Sequence, residues 1–260
     1  MPRLAARRRA RNALTAALAV VCLLLLGGGG AALTHMERLT IADIQVRGAS
    51  QLAHAALASR ADAELNKEGF HLLSRKNIFL YPRSELESSL RATFPRIRTV
   101  SVARDGLLSR TLVVSVEERE PFALWCGREC YVMDRVGYVF AEADGAGTRM
   151  ATLVFEGGID EDNGPVVGSV LLPGAFEDVR AMVAALAPSG CKGEKIVVLD
   201  DIDYMVECAE GFDVKVSFVS DIEQTARNLA LSLSSDALAA SVERLEYIDL
   251  RFGNRVYYKR

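Results

Sequence analysis

A chain of 260 residues, half of them hydrophobic and a quarter charged, has enough apolar mass for one large core or two smaller ones. Its formal net charge of −3 is unevenly placed: without the five arginines of the first twelve residues, 26 basic residues face 34 acids, a balance of −8. A body this acidic offers no concentrated positive face, which excludes nucleic acid as a partner and argues against adhesion to anionic lipid.

Residues 1–12 carry Arg3, Arg7, Arg8, Arg9 and Arg11 and no acid, and residues 13–33 carry no charged side chain. As a helix rising about 1.5 Å per residue, the second stretch reaches roughly 30 Å, the hydrocarbon thickness of a bilayer. The expectation is a basic cytoplasmic tail (1–12), a single transmembrane helix (13–33) and an extracytoplasmic remainder, because positive charge is retained inside. A cleaved signal peptide is the alternative, with Leu14 to Leu26 as its apolar region and Gly30-Ala31-Ala32 as a small-residue cleavage site.

Ile41, Ile44 and Val46 mark a short strand ending at Gly48, and Ser50 is placed to cap a helix bearing Leu52, Ala56, Leu57 and Ala61. Ile78 to Tyr81 read as an extended piece ended by Pro82. Ser84 then caps a second helix with Leu86, Leu90 and Phe94, closed by Pro95. Strands through Ile97, Val100 and Val102 and over Thr111 to Val116, joined by a turn at Asp105-Gly106, complete a β-α-α-β-β order.

From Phe122 the pattern becomes strand-rich. Strands are expected at 122–125, 131–133, 138–141, 153–156, 166–168, 196–199, 204–208 and 214–218, with a final pair at 245–252 and 256–258. Helices are expected over 176–186 and 222–233, where apolar residues fall on one stripe. The fold class is therefore α+β: after the membrane helix, a small α/β unit (40–118), then a mainly antiparallel β domain (119–260) with two covering helices. The two abut near Arg119 to Pro121, where Arg119 and Glu120 read as solvated charges. Trp125 reads as a core anchor.

No catalytic residue, metal site or cofactor site emerges. The three histidines, His35, His54 and His71, lack zinc-binding spacing, no Gly-x-Ser-x-Gly elbow is present, and Asp200, Asp201 and Asp203 read as a solvated turn. Cysteine is more informative. Cys126 and Cys130 bracket the three-residue turn Gly127-Arg128-Glu129, so a cross-strand disulfide is expected, with a redox-active pair as the competing reading. Cys191 and Cys208 flank one strand without being opposite in a simple hairpin, and whether they pair stays open.

Several motifs occur in a fixed order: Ile44-Gln45-Val46-Arg47-Gly48, Phe94-Pro95-Arg96-Ile97, Thr111 to Pro121 ending in Glu117-Glu118-Arg119-Glu120-Pro121, and Pro121-Phe122-Ala123-Leu124-Trp125. They are followed by Asp134-Arg135-Val136-Gly137-Tyr138-Val139-Phe140 and Tyr247-Ile248-Asp249-Leu250-Arg251-Phe252. In this arrangement the chain resembles the FtsQ/DivIB family of bacterial cell-division proteins. The resemblance implies a polypeptide-transport-associated (POTRA) domain over 40–118 and an FtsQ-type β domain after it. It also implies no enzymatic activity and no cofactor, but a scaffold at the division septum that binds FtsB-like and FtsL-like single-pass partners and links early division proteins to septal peptidoglycan synthesis.

The resemblance further implies a partner site near the terminal strands, on Tyr247, Asp249, Arg251, Asn254, Arg255, Tyr257 and Tyr258. Strand alternation would send Ile248, Leu250 and Phe252 to the core and Tyr247, Asp249 and Arg251 to the other face. The alternatives are a POTRA-bearing envelope assembly or secretion component and a secreted thiol oxidoreductase.

Overall fold

The computed structural model describes residues 15–22, 28–29, 34–67, 73–143, 153–238 and 242–260. The chain divides into two compact units, Met1–Glu118 and Arg119–Arg260.

The expected membrane span is corrected first: among the described residues no helix is long and apolar enough to cross a membrane. Of the stretch 13–33, residues 15–22 and 28–29 are described, as helix, and the rest lie outside the described residues. Eight helical residues reach about 12 Å, whereas a span needs about 20 residues in one helix that satisfies its own backbone. The absence of charge reports only the cost of entering lipid, and the described residues contain no such helix. The single-pass localisation derived from it, with the N-terminus inside and the bulk of the chain outside, falls with it.

In the first unit, β1 (Asp43–Arg47), α1 (His54–Leu65), α2 (Arg83–Thr93), β2 (Ile97–Arg104) and β3 (Thr111–Glu118) build a three-stranded sheet of order β1-β3-β2. β1 runs parallel to β3 and β2 antiparallel to it. Leu57, Ala61 and Leu65 of α1 and Leu86 and Leu90 of α2 lie in one core with Val102, Leu112 and Val114 of the sheet. Gly48 has φ +85°, and a Cβ there would sit 2.2 Å from the Val116 carbonyl oxygen, so the turn out of β1 admits only glycine.

Two expected caps are replaced. Ser50 does not cap α1, whose N-cap is Ala53. Instead the Glu118 carboxylate at the end of β3 accepts the amide N–H groups of Ser50, Gln51 and Leu52 at 2.8, 3.0 and 3.0 Å. Burial alone would raise the pKa of Glu118, but these three amides and nearby Arg96 outweigh it and hold the carboxyl below its ordinary value. Ser84 lies inside α2, which starts at Arg83 after Pro82. Residues 78–80, expected to be extended, form a turn that buries Ile78 completely.

The second unit contains β4 (Ala123–Cys126), β5 (Cys130–Met133), β6 (Val139–Glu142), β7 (Val154–Glu156), α3 (Phe176–Leu186), β8 (Gly193–Val198), β9 (Asp203–Cys208), β10 (Asp213–Ser217), α4 (Ile222–Leu233), β11 (Tyr247–Phe252) and β12 (Arg255–Lys259). They form a nine-stranded sheet of order β12-β11-β10-β9-β8-β7-β4-β5-β6. The sheet is mainly antiparallel, as expected, but three of its pairings, β4/β7, β7/β8 and β10/β11, are parallel. For the last two pairs the cause lies in the connections. A helix stands between β7 and β8 and another between β10 and β11, and a strand-helix-strand crossover returns the chain in the same direction. Residues 166–168 are a turn rather than a strand, although Val166 is buried.

The helices α3 and α4 pack on each other and share a core with the sheet through Phe176, Met182, Leu186 and Leu229. Trp125 is 1% exposed in that core, and its Nε1 donates to the Gly157 carbonyl at 2.8 Å.

Candidate partner-binding edge

β12 is the outermost strand of the sheet. It is joined to β11 by the Gly253-Asn254 turn and pairs antiparallel with it, Tyr247 opposite Lys259, Ile248 opposite Tyr258 and Asp249 opposite Tyr257. No other strand pairs with β12 among the described residues, so its far side is an open edge. The turn is held from below by α4: the Gln224 side-chain amide donates to Asn254 Oδ1, and Asn228 Nδ2 donates to the Gly253 carbonyl at 2.8 Å.

Ile248 and Leu250 are buried in the core. Phe252 is not: a register shift between Asp249 and Phe252 breaks the strict alternation, and Phe252 emerges 55% exposed, edge-on to Tyr257 at 5.4 Å between ring centroids. Tyr257 and Tyr258 are exposed, with the Arg260 guanidinium 5.4 Å from the Tyr258 ring. Phe252 is thus an aromatic member of the edge that the alternation rule assigns to the core. The Phe-Gly-Asn sequence at the strand end was the available signal, since a strand entering a turn on a left-handed glycine (Gly253, φ +64°) is free to change phase.

The Asp249 and Arg251 side chains are engaged within the unit. Arg251 grips Asp249 through Nε at 2.9 Å and Nη2 at 2.7 Å, and reaches Asp203 on β9 through Nη1 at 2.6 Å. Burial pushes the Asp249 carboxyl up, but the Arg251 guanidinium and amide more than offset this and hold it below its usual range. The same carboxylates, Asp249 first, raise Arg251. Tyr247 lies under the Lys215 ammonium, 3.9 Å from the ring centroid, and Arg255 is exposed. The surface presented by the edge therefore consists of Phe252, Arg255, Tyr257 and Tyr258, with Asp249 and Arg251 as the clamp beneath it.

The Asp134 motif is also an internal device. Asp134 Oδ1 accepts the amides of Val136 and Tyr138 at 3.0 and 3.1 Å, Gly137 turns at φ +80°, and Arg119 pairs with the Asp134 carboxylate while covering the Tyr138 ring at 3.8 Å. Arg119, expected to be a solvated charge, is instead a mostly buried clasp. Asp200 closes the β8–β9 turn by accepting the amides of Ile202 and Asp203, both at 2.8 Å, which hold its carboxyl below the ordinary value.

Both cysteine pairs are disulfides: Cys126 and Cys130 stand directly opposite in the β4–β5 register with Cα atoms 4.1 Å apart, and Cys191 reaches Cys208 at 5.1 Å. The second pairing, open from sequence, arises because the bend before β8 brings Cys191 beside the end of β9. Among the described residues the one group with metal-ligand geometry is Cys191, Cys208 and Glu210, whose two sulfurs are committed to each other. His54 meets the Ala49 carbonyl at 3.0 Å, and His71 lies outside the described residues.

No protein-family model matches this chain, and no curated protein matches it.

Proposed function

We propose that this chain works by binding rather than by catalysis, as a bacterial division-site scaffold of the FtsQ/DivIB kind that receives FtsB-like and FtsL-like partners. The observation that carries the reading is the open outer edge of β12, lined by Phe252, Tyr257 and Tyr258. Such an edge offers main-chain donors and acceptors to an added partner strand, while exposed aromatics beside arginine supply the side-chain contacts that dominate binding energy. The β-α-α-β-β order of the first unit and the ordered motifs support the family part of the reading.

Truncation after Asn254 removes β12 and both tyrosines. In a pull-down with an FtsB-type partner, the truncated chain is expected to lose binding while the first unit keeps its circular-dichroism signal and cooperative melting. Undiminished capture by the truncated chain would move the site elsewhere.

A further inference from the structure

A hollow of about 370 Å³ opens between the start of α3, β9 and the loop leading into α4. Its wall carries Asp178, Tyr204, Phe218, Val219, Asp221 and Glu223, and no lysine, arginine or histidine lines it. Tyr204 is 2% exposed, with its ring against Phe218 at 5.0 Å between centroids, and no described residue hydrogen bonds its hydroxyl. A hydroxyl that borders a hollow and has no protein partner is a ready donor and acceptor for whatever enters. Burial, followed by the nearby Asp178 charge, raises the phenol's pKa, so it stays protonated.

The rim is apolar and exposed. Val219 is 90% exposed and Ile202 64%, and the Phe218 amide donates to the Ile202 carbonyl at 2.9 Å, so the two loops form one ridge. Leu199, 45% exposed, continues it toward a second hollow of about 440 Å³ on the other side of Phe218. Three carboxylates repel an anion. Asp221 spends one oxygen on capping α4 through the Gln224 amide at 2.7 Å, which leaves Asp178 and Glu223 facing the opening. A cation bounded by apolar groups complements this surface, and a guanidinium, planar and weakly hydrated, suits a hydroxyl in a hollow with carboxylates at its mouth better than an ammonium. The exposed aliphatic ridge calls for further apolar side chains, as a polypeptide supplies.

We propose that this hollow is a second docking site, distinct from the β12 edge, which takes an arginine-bearing, aliphatic-flanked peptide segment of a partner protein. Its guanidinium enters between Asp178 and Glu223 to meet the Tyr204 hydroxyl, and its flanking side chains cover Ile202 and Val219.

The test is fluorescence anisotropy of the full chain with a labelled dodecapeptide of alternating leucine and arginine, and with the same peptide carrying glutamate in place of arginine. The arginine peptide is expected to bind and the glutamate peptide not to bind. Tyr204→Phe, which removes only the hydroxyl, should weaken binding about fivefold, and Asp178→Asn about tenfold. Glu129→Gln, on the distant β4–β5 turn, should change nothing. No binding of the arginine peptide, equal affinity in the wild type, Tyr204→Phe and Asp178→Asn, or an equal loss in Glu129→Gln would each overturn the site. Asp178 is exposed, so its variant decides the matter even if Tyr204→Phe fails to fold.

Discussion

Arg251→Ala is expected to destabilise the second unit by about 3 kcal/mol at neutral pH, the scale for removing one partner of a buried ion pair. Asp249 is only 6% exposed, and both its oxygens are held by Arg251, which also holds Asp203. Without the guanidinium the carboxylate keeps its burial and loses its counter-ion. The pH dependence has a definite sign. In the wild type the Asp249 pKa is depressed, so its contribution is complete above the unfolded value near 4 and is lost as pH falls through the folded value below that. In the variant, burial is opposed only by the residue-251 amide and the Lys215 charge, so the pKa rises relative to the wild type, and protonation then relieves the strain. The stability gap between the two proteins, measured by urea unfolding, should therefore narrow as pH falls. A gap under about 1 kcal/mol at pH 7, or one that widens in acid, would show that the clamp does not support the sheet.

The two disulfides should differ in weight. Cys191–Cys208 closes a loop with a sequence separation of 17 and lies in the core, whereas Cys126–Cys130 has a separation of 4 and lies at a partly exposed hairpin. From loop length the longer bridge is worth about 3 kcal/mol and the shorter about 2. Cys191 and Cys208 are buried, so serine in their place adds about 1 kcal/mol or more of unpaired hydroxyl on each side. The Cys191→Ser/Cys208→Ser protein is therefore expected to melt well below the Cys126→Ser/Cys130→Ser protein in calorimetry. The reverse order would contradict the core role of the second bridge.

What the sequence made legible was mostly local. The helices over 176–186 and 222–233 were readable because each carries an apolar stripe between clear stop signals, and the residues observed match. Alternation within 203–208 shows which side chains are buried, but no single strand records the direction of its neighbour. Two of the parallel pairings follow from the helix that stands between their strands, whereas β4/β7 joins strands that no helix connects.

The site was legible in part. Strand alternation puts Asp249 and Arg251 on the face opposite Ile248 and Leu250, but it does not show that Asp249 is buried there. The clamp also needs Asp203, 48 positions from Arg251, which no local pattern announces. The same holds for Glu118, which anchors the Ser50–Leu52 loop ahead of α1 from 68 positions away. Phe252 was misassigned because one register shift changes the face of every residue beyond it. Residues 13–33 are apolar enough in composition for a membrane span, but composition does not supply length, and among the described residues no helix is long enough to be one.

Amide hydrogen exchange on the full chain, with and without an FtsB-type partner, tests the central claim most directly. If a partner strand adds to β12, the amides of residues 255–259 that face the open edge should slow markedly on binding, while those of β6 at the opposite edge of the sheet stay unchanged. Binding that leaves the β12 amides exchanging as before, with protection appearing on another element, would contradict it.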